Sequence, residues 1–184
     1  MKIALMGCSG SGKSTLAARL EGELGYPWIE LDSYFHQANW QPKDGAIFKS
    51  EIEAILNKSE KSAGGWIVDG NYGSKLDSLV SANADVVIWF NFPKSKVMYR
   101  VVKRSLKRAF TRQELWNGNR EEFINLLKWD PEYNILRWSW TQFDNYRKTL
   151  SEAANTAPSH QKWIEITSAD DIEEAVAYLA GNNF

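Results

Sequence analysis

At 184 residues, with 43% apolar and 24% charged side chains, the chain has material for one globular domain and a small insert, but hardly for two independent folds. A net charge of −1 gives no overall electrostatic bias toward nucleic acid or a membrane surface. The single cysteine, Cys8, excludes an internal disulfide, and the apolar opening KIALM meets a glycine too soon for a signal peptide, so a soluble cytoplasmic protein without a membrane span is expected.

KIALM (2–6) reads as a short strand ending in a glycine-rich loop. GKSTLAARLEGELG (12–25) has helical spacing, with Leu16, Leu20 and Leu24 on one face and Gly25 and Pro27 stopping it. WIELD (28–32) reads as a second strand ending at Asp32, followed by a helix over about 46–58 and the polar loop SEKSAGG. WIVDG (66–70) is a third strand and DVVIWFNF (85–92) a fourth, nearly continuous in apolar residues as a strand covered on both faces requires.

Pro93 opens a long helix to about Phe110, and residues 111–150 are polar, aromatic and mostly helical, punctuated at Pro131. KWIEIT (162–167) is the last strand, and SADDIEEAVAYLA (168–180) a terminal helix with Ser168 as its N-cap. Strands alternating with helices predict right-handed crossovers and a parallel sheet between helix layers. Trp40, Trp116, Trp129, Trp138 and Trp140 fall outside the expected strands, and the last three are assigned to packing.

Residues 7–14, GCSGSGKS, fit the pattern G-x-x-x-x-G-K-S/T between a predicted strand and a predicted helix. Glycines let the backbone curl so that several N–H groups face one anion, and the helix N-terminus adds its dipole. Gly7, Ser9, Gly10, Ser11, Gly12, Lys13, Ser14 and Thr15 are therefore expected to hold a nucleoside triphosphate. Lys13 would reach the β- and γ-phosphates and the Ser14 hydroxyl would coordinate Mg²⁺. The absence of an N-K-x-D sequence tilts the nucleotide toward ATP.

Asp32 is either a general base for an attacking hydroxyl or a turn cap. Asp69 either holds a water on Mg²⁺ or makes a turn with Gly70. Between Asp85 and Glu114 there is no acid but eight bases, with Arg100, Arg104 and Arg108 at i, i+4 and i+8 on one helix face. That face suits a lid closing over the charge that develops in phosphoryl transfer; a solvated face and a nucleic-acid patch are the alternatives. In RQELWNGNREEF (112–123), Trp116, Asn119 and Arg120 suit ligand recognition, or Trp116 anchors a lid to the core. Tyr34, Phe35 and Trp40 make either an acceptor wall or core.

Several of these segments carry a family resemblance. FNFPKSKVMYRVVKR (90–104) is similar to a segment of adenylate kinases, with Phe90, Pro93, Arg100 and Arg104 in register, and WIVDG resembles their third strand. GCSGSGKSTLA, LDSYF, IVDGNY and ELWNGNRE together resemble the adenylate-kinase-related DNA topology modulation proteins. The resemblance implies a three-layer P-loop fold with a five-stranded parallel sheet in the order 2-3-1-4-5 and a helical lid at about 105–150 within a single domain spanning 1–184. It also implies that Arg100 stacks on adenine, that Arg104 reaches phosphate, and that TSAD (167–170) lies where adenine leans on backbone.

Two places depart from nucleotide kinases. DGNYG puts Gly73 where an arginine would grip a monophosphate, and LDSYF replaces the acceptor segment with one similar to the D-D-F-Y of uridine kinases. Shikimate and uridine kinases keep an Asp in a place similar to that of Asp32. The chain thus reads as a phosphotransferase from Mg·ATP to a hydroxyl of an unidentified small molecule or nucleoside, with Lys13, Asp32, Arg100 and Arg104 catalytic and Ser14 and Asp69 at the metal. A DNA-linked ATP-binding regulator and an acceptor-free NTPase are the alternatives.

Overall fold

The computed structural model describes residues 1–130 and 134–181, so the punctuation expected at Pro131 lies outside the described residues. Five strands, β1 (Lys2–Gly7), β2 (Trp28–Glu30), β3 (Trp66–Asp69), β4 (Val86–Phe90) and β5 (Lys162–Ile166), form one parallel sheet in the order β2-β3-β1-β4-β5. This is the order the resemblance implied. β3 and β4 are buried along their whole length, which is why their sequences show no polar alternation.

Helices cover both faces. On one, α1 (Lys13–Leu24), α6 (Lys94–Thr111), α8 (Ile135–Asn155) and α9 (Asp170–Gly181) pack Leu16, Leu20, Val97, Val101, Phe143 and Leu179 against Ile3, Leu5 and Ile88. On the other, α3 (Gly45–Ala63), with the short α4 (Gly73–Leu76) and α5 (Leu79–Asn83), sets Phe48, Ile52 and Leu56 against Ala4, Trp66 and Val68. Phe48, Ile52 and Leu56 recur every four residues, so one stripe of α3 is dry. Burying a side chain of this size contributes about 1.5–3 kcal/mol, which makes these stripes the main force seating each helix.

The helix ends are read from local chemistry. Asp44 caps α3 by accepting from the N–H of Ala46 and Ile47, and left-handed Gly64 ends it. At α9 the Ser168 hydroxyl accepts from the Asp171 N–H at 3.2 Å while an Asp171 carboxylate oxygen accepts from the Ser168 N–H at 3.0 Å, the reciprocal box expected of a capping serine. The Ser168 hydroxyl, which donates to the other carboxylate oxygen at 2.7 Å, together with the Thr167 donors and the Ser168 N–H, pulls the Asp171 carboxyl well below the usual carboxylate range.

Three expectations are corrected. β2 ends at Glu30, and Asp32 lies in the first turn of a short helix, α2 (Leu31–Phe35), because Leu31 and Phe35 at i and i+4 both turn into the core. α3 runs five residues past the expected end. Trp129 and Trp140 are not packing residues: they are 81% and 58% exposed, with Arg137 over Trp129 at 3.3 Å and Lys94 over Trp140 at 4.3 Å. Among the described residues, no helix is long and apolar enough to cross a membrane.

Candidate active site

The glycine-rich loop follows β1, in the centre of the sheet, and opens α1 at Gly12. Doubly wound sheets bind ligands off the carboxyl ends of their strands, and the candidate residues gather at that edge. Lys13 donates to the Cys8 carbonyl at 3.1 Å and lies 3.9 Å from an Asp69 carboxylate oxygen. The Ser14 hydroxyl donates to the other Asp69 oxygen at 2.5 Å. Asp69 is 4% exposed, and burial pushes its carboxyl above the usual range against the opposing pull of Lys13 and Ser14. A carboxylate and a hydroxyl side by side are hard oxygen donors, a pair that fits a hard divalent cation. Thr15 sits on the exposed side of the same turn.

The long basic helix α6 lies against the loop. Gly10 is left-handed (φ 78°), and a Cβ there would come within 2.5 Å of Val101 Cγ2, so only glycine admits so close an approach. Arg100 donates to the Ser11 carbonyl at 3.0 Å and lies over the Phe92 ring at 4.8 Å. Arg104 donates to the Ser9 hydroxyl at 2.7 Å, and burial pulls its pKa down. The i, i+4 spacing thus delivers both arginines to the loop itself. Arg108, one turn further, pairs with Glu121 at 2.9 Å.

The segment Asp69-Gly70-Asn71-Tyr72 joins the loop to Asp32. Asp69 holds Ser14. Gly70 (φ 143°) passes so close to Leu31 that a Cβ would sit 2.9 Å from the Leu31 Cβ. Asn71 clamps Gly7 by accepting from its N–H at 3.1 Å and donating to its carbonyl at 2.6 Å. Tyr72 donates its hydroxyl to Asp32 at 2.6 Å, with His36 Nε2 3.4 Å from the same hydroxyl. Burial beside Asp32 raises the Tyr72 pKa far above its ordinary value, which keeps it a donor. Burial also lowers the pKa of His36, leaving its ring neutral near pH 7.

Two small loops close over the side of the site that holds His36 and Glu30. Residues 36–42 and 114–120 are each pinched by an antiparallel bridge, His36–Pro42 and Glu114–Arg120, and each carries a left-handed asparagine, Asn39 or Asn117. They interlock. Asn119, 4% exposed, donates to the Gln37 carbonyl at 2.8 Å and accepts from the Trp40 N–H at 2.8 Å. Asn117 donates to the carbonyls of Ser33 and His36. Trp116 donates its indole N–H to Glu30 at 2.6 Å and stacks on His36. Burial raises the Glu30 carboxyl above the usual range despite that bond. Trp116 is thus bonded to the edge strand β2, as an anchoring role requires, and Asn119 joins the two loops.

Asn71, Tyr72, Glu30 and His36 were not singled out from the sequence. The first two lie inside DGNY, which the resemblance had marked without giving them a role. Phe35 and Tyr34 belong to the core side, Phe35 being buried against Phe48 and Tyr72.

No protein-family model matches the chain. Over 60 residues, 33% of the chain, it is 42% identical to shikimate kinase 2, chloroplastic, of Oryza sativa subsp. japonica, and 37% identical to shikimate kinase of Gloeobacter violaceus. The match spans 20% and 33% of the length of those proteins. Among solved structures, the chain is similar to deoxyadenosine kinase from M. mycoides with the products dCMP and a flexible dCDP bound. The TM-score is 0.50 at 16% identity, covering 98% of this chain and 97% of that one. At that identity the likeness speaks to the fold, a P-loop kinase fold of the adenylate-kinase type.

Proposed function

We propose that the chain is a phosphotransferase that moves the γ-phosphoryl group of Mg·ATP to a hydroxyl of a small molecule or nucleoside. The observation that carries this reading is the DGNY connector, which ties a triphosphate-type loop to a carboxylate across two strands through Ser14–Asp69 and Tyr72–Asp32. A carboxylate held in that place is positioned to take a proton from an attacking hydroxyl, as transfer to an acceptor requires. The kinase names of the matched proteins support the same class.

In this reading, the loop N–H groups and Lys13 hold the triphosphate, and Ser14 and Asp69 hold Mg²⁺ directly or through water. The metal, when bound, supplies charge neutralisation at the phosphates. Asp32 accepts the proton of the acceptor hydroxyl as its oxygen bonds to phosphorus and the bond to the ADP oxygen breaks. Tyr72 fixes one Asp32 oxygen, leaving the other to face the hydroxyl. Arg100 and Arg104, now on Ser11 and Ser9, stand where charge builds on the transferred group.

The test is Asp32→Asn. It should leave ATP binding by calorimetry within a factor of about two and lower transfer by roughly 10²–10⁴-fold, the usual worth of a general base. The acceptor is found first by ADP production from Mg·ATP with pools of nucleosides, sugars, nucleotides and shikimate. Transfer by the Asn variant at the parental rate rejects the base.

A second reading, an ATP-binding regulator of DNA topology, draws on the resemblance noted in the sequence and on the exposed Lys103 and Lys107 of α6. It requires DNA binding that weakens steeply with salt, as counterion release dictates. Salt-independent or absent binding rejects it.

A further inference from the structure

We infer that the outer face of α6 is a docking surface for anionic lipid, on which the helix lies flat with an apolar stripe inserted and a row of lysines beside it. The inference goes beyond the phosphotransferase reading and concerns the side of α6 turned away from the phosphate loop.

Of the eleven large apolar side chains exposed among the described residues, nine fall between Tyr99 and Trp140. Four of these lie on α6 itself. Tyr99, Val102, Leu106 and Phe110 recur at i, i+3, i+7 and i+11, so they form one stripe along the outside of the helix. Tyr99 and Phe110 are 67% and 81% exposed. Other residues, Val97, Val101, Ser105 and Ala109, supply the inward face, so the core does not account for the stripe. The short helix α7 (Phe123–Leu127) packs against α6 and leaves Phe123, Ile124 and Leu127 exposed as well. Apolar surface gathered on one segment in this way marks an interaction site.

Charge decides what covers it. Lys96, Lys103 and Lys107 each stand three residues before an apolar member, before Tyr99, Leu106 and Phe110, and so run along one flank of the stripe. α6 contains no carboxylate, and its two ion pairs, Lys94–Asp144 and Arg108–Glu121, already neutralise the acids they engage. Lys96 lies over the Phe92 ring. Lys103, Lys107 and, at the helix end, Arg112 are exposed and make no ion pair among the described residues. A second copy docked through the same face would set lysines against lysines. Duplex DNA would pair with the lysines and leave the apolar stripe in water. An anionic bilayer surface satisfies both sets: the stripe enters the boundary between headgroups and acyl chains, and the lysines meet the negative headgroups. Arg100 and Arg104 reach the other way, to Ser11 and Ser9, so docking draws nothing from the site.

The test is cosedimentation of the full chain with vesicles of phosphatidylcholine alone or with about 30% phosphatidylserine, at about 0.1 M salt. The parent should bind the anionic vesicles at least about tenfold more tightly than the neutral ones. Lys103→Gln with Lys107→Gln should weaken that binding about 25-fold, roughly fivefold for each lysine. Leu106→Ser with Phe110→Ser should weaken it at least about tenfold at unchanged charge. All four side chains are exposed, so both double variants should keep the parent's circular dichroism and thermal midpoint. Absence of binding to the anionic vesicles overturns the inference. So does binding that falls with the lysine pair and ignores the apolar pair, because adsorption is then electrostatic alone. A parent that sediments as a dimer, made monomeric by the apolar pair, gives the face to a second copy. Duplex DNA that binds more tightly than the vesicles and displaces the protein from them gives it to nucleic acid. Either result also overturns the inference.

Discussion

Replacing Gly10 by alanine tests how tightly the phosphate loop and α6 are fitted. Two costs arise. The first is conformational: at φ 78° an alanine occupies the left-handed region, at about 1–2 kcal/mol. The second is steric: the new methyl would lie 2.5 Å from Val101 Cγ2, with the Val101 N and the Val97 carbonyl oxygen at 3.2 and 3.3 Å, so the helix cannot yield by a side-chain rotation alone. Overpacking of this kind costs about 1–3 kcal/mol. Gly10→Ala should then lower stability by about 2–5 kcal/mol, and the thermal midpoint by roughly 4–20 °C for a chain of this size.

The two costs separate in a double-mutant cycle. Val101→Ala removes the offending methyl and, since Val101 is fully buried, costs about 1.5–3 kcal/mol alone. Added to Gly10→Ala, it should relieve most of the steric part, so the double variant is more stable than additivity requires by about 1–3 kcal/mol. Denaturant unfolding followed by far-UV circular dichroism reads all four corners. An additive double variant would refute the close approach as the reason for glycine at position 10.

Tyr72→Phe removes a hydroxyl donated to a carboxylate and should lower transfer roughly 10- to 150-fold with nucleotide affinity unchanged; with Asp32→Asn already present it should cost nothing more. Cys8 is 5% exposed and burial pushes its thiol up to about 11, so alkylation at pH 8 should run roughly two hundredfold slower than at an ordinary thiol and become fast on unfolding. His36 is held neutral by burial, its folded pKa lying below the unfolded value of about 6.5. The stability it contributes is therefore present above that pH and lost as pH falls through the folded value. The denaturation midpoint should drop between pH 7 and 5, and His36→Asn should flatten that limb.

What could be read from the sequence was whatever is local or periodic. The loop GCSGSGKS announces itself through glycine spacing, and the four-residue repeat of Arg100, Arg104 and Arg108 foretold a shared face. The parallel arrangement follows from strands alternating with helices, and the strand order from the resemblance alone. WIELD looks extended and so puts Asp32 at a strand end, although Leu31 and Phe35 at i and i+4 carry the signature of the single helical turn that forms. Contacts such as Tyr72–Asp32 or Trp116–Glu30 join residues 40 and 86 positions apart, and no local pattern encodes such a pairing. Trp140 misleads because composition gives hydrophobicity but not the direction a helix face points, and Trp129 because it lies in a bend outside any helix.

The interlocked loops have a consequence for the order in which the molecule assembles and comes apart. Their hydrogen bonds join residues about eighty positions apart, yet each loop is already tied at its own neck by a bridge. Contacts of such long separation form after the entropy of closing the intervening chain has been met, which places this seam late in folding. It holds by few bonds near the surface, so it is also among the first places to part. Amide hydrogen exchange should find 36–42 and 114–120 opening together, with one shared free energy well below that of the central strands, as a separate cooperative unit. The protein would then open and shut this side of the site as two stiff pieces that part and meet, without melting either.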